Sequence, residues 1–323
     1  MNLKIANLGL ISLLIISIIY TGCKPPVRAV KHDGEKDLIS FKSVEGISYT
    51  EISRRLKNGL SFNEDGFQLE PQWKMKFVSD DSISIYSFDK KAFLNFPLTR
   101  GYDSIFNTAR TWLKLRKMSK DSLVLEVLKS QADSIDVRGE GVYMTFYANN
   151  YIQNVLHTDI ATLRHSSRKD SLFIKSLVNE ANSDFKKAFA ARQPVVLVSK
   201  SPAVKVSKWK AEGDFFNHYD TTDDYFNPSY NITINKAYAN FYYSFTMYVD
   251  DKGQIHYGKP LIPIGSESSY VRLSRAIMDS YLKLYLQVIP GKTLDMAHAS
   301  LINIHVEGKA DALAMLSKNE ISR

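Results

Sequence analysis

Between about residues 60 and 150 the sequence alternates apolar and polar side chains in short runs, and no other feature restricts the fold as tightly. Trp73, Met75 and Phe77 are interleaved with Lys74 and Lys76, and Ile83 and Ile85 follow Asp80-Asp81. An apolar run covers Phe93 to Leu98, Leu113 and Leu115 alternate with Lys114 and Arg116, and Ser119-Lys120-Asp121 leads into Leu123, Leu125 and Val127. Val142 to Tyr147 closes the series. Successive side chains of a strand point to opposite faces. A period of two, with turn residues at roughly every tenth position, therefore predicts an antiparallel meander with one face on a core and one in water.

Residues 168–192 change period. Phe173, Leu177, Ala181, Phe185, Ala188 and Phe189 form an apolar stripe at helical spacing, with Asp170-Ser171 as a start signal and Pro194 as a stop. Residues 199–214 are basic and interrupted by Pro202 and Gly213, as a linker would be. Beyond them, Phe241, Tyr243, Phe245, Met247 and Val249 line one face of a strand. Asp250 to Gly253 makes a tight turn, and Gln254 to Tyr257 begins a return strand. A helix follows over 270–286, its apolar face expected from Leu273, Ala276, Ile277, Ser280, Tyr281 and Leu284, with Arg272, Arg275, Asp279 and Lys283 in water. Pro290-Gly291 ends it, and Ile302, Ile304 and Val306 alternate with Asn303, His305 and Glu307 in a last strand.

The fold class read from this order is α+β: an N-terminal antiparallel β-meander, a central helix, and a small C-terminal αβ domain with a hairpin and a packed helix. The 323 residues, 44% hydrophobic and 24% charged, are ordinary globular composition with room for two domains of about 150 residues. The expected divisions are a signal peptide over 1–22, a tether over 23–40, a β-rich domain with terminal helix over 41–198, a linker over 199–214, an αβ domain over 215–310 and a tail over 311–323. The single cysteine excludes a disulfide framework and a cysteine-based zinc site. The net charge of +8 is scattered along the chain and no nucleic-acid motif accompanies it, so no nucleic-acid partner is expected.

The first 23 residues, MNLKIANLGLISLLIISIIYTGC, place Lys4 before a mostly apolar stretch from Ile5 to Tyr20. As a helix that stretch would be about 24 Å long, short of the roughly 30 Å hydrocarbon core of a bilayer, which favours a cleaved signal. Tyr20-Thr21-Gly22-Cys23 resembles the lipobox of bacterial lipoproteins, departing from it at Tyr20, where the family usually has Leu. The resemblance implies a thioether-linked lipid on the Cys23 thiol. It also implies a cell-envelope location, anchored to a membrane and facing the periplasm, with the bilayer itself as a partner.

Two further resemblances concern the folded part. The hairpin Tyr243 to Ile255, the helix over 270–286, Ile289-Pro290-Gly291 and Leu301 to Val306 together resemble the C-terminal domain of TonB-like proteins. That family binds a short peptide by strand addition to a sheet edge, which implies a protein or peptide partner in the envelope. The long Pro-rich spacer of the family is missing here, which argues against an energy-transducing role. The meander of residues 60–150 resembles lipocalin-like barrels, which implies small-ligand binding as the alternative.

No catalytic motif stands out. Gly265-Ser266-Glu267-Ser268 does not fit a nucleophile elbow, Arg138 to Gly141 lacks the rest of a phosphate loop, and there is no His-Glu-x-x-His. A non-enzymatic protein without cofactor or metal is expected, with an envelope hydrolase the least favoured alternative. His157 with Asp159 is read as a surface pair in a loop. His218 with Asp220, Asp223 and Asp224 is the most metal-like cluster, its oxygen ligands suited to calcium, but its spacing misses the EF-hand pattern and no metal is expected. His298 and His305 are likewise read as plain histidines, His305 on an exposed face. Among the abundant aromatics, Tyr242 and Tyr248 lie opposite the core face of their strand and are the candidate binding residues, as a platform for carbohydrate or peptide.

Overall fold

The computed structural model of the chain describes residues 38–102, 104–131, 134–136, 141–209, 223–262 and 267–310. Ile39 to Arg323 forms one compact unit. In chain order its first strands are β1 (Ser48–Leu56), β2 (Lys74–Ser79), β3 (Ser82–Ser87), β4 (Ala92–Pro97), β5 (Thr99–Arg100), β6 (Ile105–Thr108), β7 (Thr111–Met118) and β8 (Ser122–Val127). A small ribbon, β9 (Lys129–Gln131) with β10 (Ser134–Asp136), precedes β11 (Val142–Ala148). All but the ribbon belong to one antiparallel sheet in the order β4-β3-β2-β1-β11-β8-β7-β6-β5. The edge strands β4 and β5 lie at opposite ends of that sheet, yet only Leu98 separates them in sequence. Neighbouring Cα atoms are about 3.8 Å apart, so the sheet must curl until its ends come together. The result is barrel-like.

Side chains fill the interior. Phe41, entering ahead of the short 3₁₀ turn Lys42–Val44, stacks on Phe77 of β2 at 4.6 Å and meets Phe106 of β6 edge-on at 5.1 Å. Met75, Ile83, Leu113, Leu123, Leu125, Met144 and Phe146 complete the core. Arg100 of β5 fastens the seam: Nε donates to the Ile39 carbonyl (2.6 Å) and Nη2 pairs with Asp80 (3.0 Å) in the β2–β3 turn. Asp80 in turn accepts from the Phe41 amide, 2.5 Å away. The meander is thus as expected, extended at its start by β1, whose TEISRRL sequence lacks clean alternation.

Three helices follow: α1 (Asn149–Asn154), α2 (Ile160–Leu163) and α3 (Arg168–Ser183). Ser167 caps α3, and the Asp170 carboxylate returns to the Ser167 amide, completing a capping box. Asp170 is fully buried and also accepts from the Ser61 amide (2.7 Å) and from Arg55 of β1 (2.9 Å). The helix ends earlier than its apolar stripe predicts. Asp184 is extended at φ −142 and its side chain caps the amide of Lys186 in a 3₁₀ turn, Phe185–Lys187. The buried face is Ile174, Val178 and Ala181, which share a small core with Phe62 from the barrel side, Phe189 and Ala299.

The C-terminal part comprises β12 (Val196–Ser199), β13 (Val204–Lys208), the single turn α4 (Asp223–Phe226), β14 (Ser229–Ala237), β15 (Phe241–Val249), β16 (Ile255–Pro260) and α5 (Glu267–Ile277). A π-helical turn, Met278–Leu282, prolongs α5 into a last turn, α6 (Lys283–Tyr285); β17 (Leu286–Ile289), β18 (Lys292–Thr293), β19 (Met296–Ala297) and β20 (Ser300–Ala310) follow. The main sheet runs β13-β14-β20-β15-β16. Only β14 and β20 are parallel, with Tyr230 beside Ile304. β13 falls in the stretch expected to be a linker; residues 210–214 of that stretch lie outside the described residues.

The last strand alternates as predicted, with Ile302, Ile304 and Val306 buried. It is the central strand, not an edge. The helix face needs correction: Ser274, Ile277, Met278 and Leu282 are buried, whereas Leu273 and Leu284 are exposed. The buried positions keep helical spacing through the π turn, so the whole face is rotated by one position from the expected one, beginning upstream of that turn at Ser274.

His298 is fully buried, stacked on Phe189 at 3.7 Å. Its Nδ1 donates to the Ala299 carbonyl (2.9 Å), so the neutral ring accepts at Nε2 from Thr293 Oγ1 (3.0 Å). Burial pushes its pKa down to about 4. Below about pH 6.5 the unfolded chain takes up a proton at this site that the folded one refuses, so stability should fall by about 3 kcal/mol between pH 6.5 and 4. Denaturant titrations across that range should show the slope in the wild type and lose it in His298→Asn. Asp170 acts further down. Burial opposes its ionisation, but hydrogen bonds from Ser167, Ser61 and Arg55 outweigh this and hold its pKa at about 2. Its contribution, present above about pH 4, should disappear as pH falls towards 2. Asp170→Asn should lower the neutral-pH unfolding free energy by about 3 kcal/mol in the same titration.

Candidate functional site: the groove along the edge of the C-terminal sheet

The turn that launches β16 is built by Asp250, whose Oδ1 accepts from the amides of Lys252 (3.0 Å) and Gln254 (2.8 Å). Gly253 takes φ +78, and its Cα passes so close to the Val288 carbonyl that a Cβ would lie 2.5 Å from that oxygen. These two requirements explain the Asp-Asp-Lys-Gly sequence. β16 then pairs with β15 until a bulge, where the partners jump from Met247–Tyr257 to Phe245–Pro260. Within the bulge the Lys259 amide donates to Thr246 Oγ1 (2.9 Å) instead of to a ladder carbonyl. Gly258 lies on Thr246 itself: a Cβ there would be 2.8 Å from the Thr246 carbonyl oxygen.

β16 is the outer strand of its sheet, with no strand beyond it among the described residues. An open groove of about 740 Å³ runs along it. One wall is α5 and the π turn, where Tyr257 OH meets Ser274 Oγ (3.2 Å) and the Arg275 guanidinium lies over the Tyr257 ring at 5.1 Å. The other wall is Phe185, stacked flat on His256 at 4.3 Å and edge-on to Tyr248 at 5.4 Å. His256 Nε2 is 3.5 Å from Asp250 Oδ2. Lys186, Lys259, Arg275 and Lys283 ring the groove, and its acid, Asp279, pairs with Lys283 at 2.8 Å. The site therefore offers a strand edge, aromatic faces for packing, and a cationic rim.

The two candidate tyrosines are separated. Tyr248 forms part of the groove wall and is half-buried. Tyr242 is 59% exposed, and its hydroxyl is 3.4 Å from Nδ1 of His305. They stand six positions apart on the strand, about 20 Å, so they do not form one platform. His305, expected to be exposed, is half-buried. Its Nδ1 also contacts Ser244 Oγ at 2.8 Å, and burial lowers its pKa. The Ser244–His305 contact has the spacing of a nucleophile and base. Ser244 is buried, however, and among the described residues no carboxylate orients the other ring nitrogen. Asp159 caps α2 through the Thr162 amide (2.8 Å) and makes no contact with His157, which sits at φ +49 in the preceding loop. Cys23, His218 and Asp220 lie outside the described residues.

Phe185, His256, Lys259, Arg275 and Lys283 went unrecognised in sequence as one site. The hairpin legibly placed His256 on the return strand, but nothing local to Phe185 announces that it lies across this strand.

No family model matches the sequence, and no curated protein matches it. Among solved structures, a bovine lipocalin allergen, Bos d 2, aligns at 13% identity over 43% of this chain and 85% of its own, with a TM-score of 0.22. A likeness of that size carries no inference about this site.

The bulge makes a direct prediction. Gly258→Val should cost about 2 kcal/mol through the clash with Thr246, lowering the urea midpoint at unchanged m-value. Hydrogen exchange should show the loss concentrated in β15 and β16.

Proposed function

We propose that this is a non-enzymatic, lipid-anchored protein of the cell envelope whose C-terminal sheet receives an extended peptide along β16. The observation that carries the reading is the outer position of β16 in a groove walled by aromatics. A peptide added there gains main-chain hydrogen bonds to the edge, while its alternate side chains enter the groove or point to solvent. With Lys186, Lys259, Arg275 and Lys283 against Asp279, the rim favours an acidic segment. The TonB-like order of hairpin, helix and strand agrees with this use. The docking edge is the hairpin's return strand, because the final strand is enclosed by β14 and β15.

Lipid attachment rests on Cys23, the sole thiol of the chain, placed directly after an apolar stretch and two small residues. A small-ligand reading draws on the barrel-like sheet. Phe41, Phe77, Phe106 and Phe146 occupy that interior, so a ligand there would have to displace the Phe41 plug.

Two measurements test the proposal. Palmitate labelling of the full chain should mark the wild type and not Cys23→Ala; label in neither would remove the anchor. For docking, extended peptides of acidic, neutral and basic composition should be titrated against the protein. The acidic set should bind preferentially and slow amide exchange in β16, and Lys259→Glu/Arg275→Glu should reverse the preference. Equal binding of all three sets, or protection away from β16, would sink the docking mode.

A further inference from the structure

The barrel presents a second surface feature, remote in sequence from the groove. The β3–β4 hairpin turns through Phe88-Asp89-Lys90-Lys91, between the paired residues Ser87 and Ala92. Phe88 is 56% and Phe93 54% exposed. Both meet Tyr86 edge-on, at 5.1 and 5.2 Å, so the three rings form one cluster outside the barrel. Pairing explains the placement: Ile85 and Leu94 face one another on the core side, which puts their neighbours Tyr86 and Phe93 together on the outer side. The cluster has a basic border. Lys74 lies over the Tyr86 ring at 5.5 Å, Lys76 follows on the same outer face of β2, and Lys90 and Lys91 are exposed at the tip. Lys91 adopts φ +49, a conformation in which Gly or Asn sits more easily, and still carries a charge. The tip itself carries Lys90 and Lys91 beside Asp89.

We infer that this hairpin is a membrane-seating surface, which lays Phe88, Phe93 and Tyr86 into the interfacial zone of an anionic bilayer while Lys74, Lys76, Lys90 and Lys91 contact its head groups. The chemistry fits that occupant on both counts. Exposed aromatic rings gain from the interfacial zone, and lysines beside them gain from anionic lipid. The reach is also adequate. Fifteen residues, 24–38, separate Cys23 from Ile39 and span at most about 50 Å when extended. Ile39 is held at the β2–β3 turn by Arg100, and the Phe88 turn lies one six-residue strand away, about 20 Å. A lipid on Cys23 and the aromatic tip can therefore engage the same membrane. The inference does not require that lipid, because the rings and lysines are in place within the folded unit, and it uses nothing of the peptide groove.

The test uses the compact unit Ile39–Arg323, which contains every element described and lacks both Cys23 and the apolar leader. Vesicles of phosphatidylcholine with and without phosphatidylglycerol are sedimented with the protein. Binding should require phosphatidylglycerol and weaken with added salt. Phe88→Ala/Phe93→Ala should reduce it roughly tenfold or more. Lys90→Ala and Lys91→Ala should each reduce it roughly fivefold. Lys259→Gln/Arg275→Gln, in the groove, should reduce it far less than loss of the tip residues. These side chains are exposed, so thermal melts should be unaltered in all the variants. Since the fragment has no cysteine, Asp89→Cys carrying an environment-sensitive fluorophore should shift to the blue on vesicle addition. No binding to either vesicle, or equal loss in the groove variant, overturns the proposal. So does a concentration-dependent dimer in light scattering that Phe88→Ala/Phe93→Ala abolishes, which would make the cluster a contact between copies. Failure of palmitate labelling with vesicle binding intact would remove the anchor and leave this surface standing.

Discussion

The buried carboxylate of Asp170 is the point on which the two sheets depend. It closes the capping box of α3, receives the Ser61 amide from the loop after β1, and pairs with Arg55 of β1 itself. One ion therefore fixes where α3 leaves the barrel. The angle at which α3 leaves fixes the rest, because its inner face shares a core with Phe62 on one side and with Phe189 and Ala299 on the other. A carboxylate without these donors would be costly to bury; with them, the same burial makes the contact directional.

Beyond α3 the arrangement is carried by polar links as much as by apolar packing. Arg192 reaches Gln68 at 2.8 Å and pairs with Glu70, while its guanidinium lies 4.3 Å from the Tyr225 ring centre. The Arg192 amide donates to Thr293 Oγ1 (3.1 Å), the same hydroxyl that faces His298. The segment after α3 is therefore stitched to the barrel loop and to the final hairpin together. The 3₁₀ turn that carries Phe185 issues from this stretch, so the groove wall takes its position from the junction between the sheets.

Much of this was legible in the sequence, and the limits have physical causes. Period-two runs such as Trp73 to Phe77 and Leu113 to Arg116 became strands because one barrel face is wet. β1 was not legible, since it combines buried Thr50 and Glu51 with a bulge at Ile52, which breaks the alternation. The C-terminal hairpin was readable from Asp250 to Gly253, where local hydrogen bonds and a positive φ leave few alternatives. The helix face was not, because Leu273, Ile277 and Leu284 offer an apolar stripe at helical spacing as regular as the buried one of Ser274, Ile277, Met278 and Leu282. The groove was least visible: it joins Phe185 to His256 across a long stretch of chain, and only the tertiary junction brings them together. Tyr242 and Tyr248 showed the opposite problem, sharing a strand face but standing too far apart to act together.

The curled sheet has a consequence for the order of events in folding. Tyr49 at the start of β1 pairs with Ala148 at the end of β11, so the strand that begins the barrel lacks one neighbour until nearly all of it is available. The hairpins from β2 to β8 need only adjacent chain. The long-range closure is that of β1 on β11, since Arg100 meets Asp80 across the β3–β4 hairpin alone. Loop-closure entropy is thus concentrated in one late step, and folding of the barrel should fall in the slow regime of non-local β topologies.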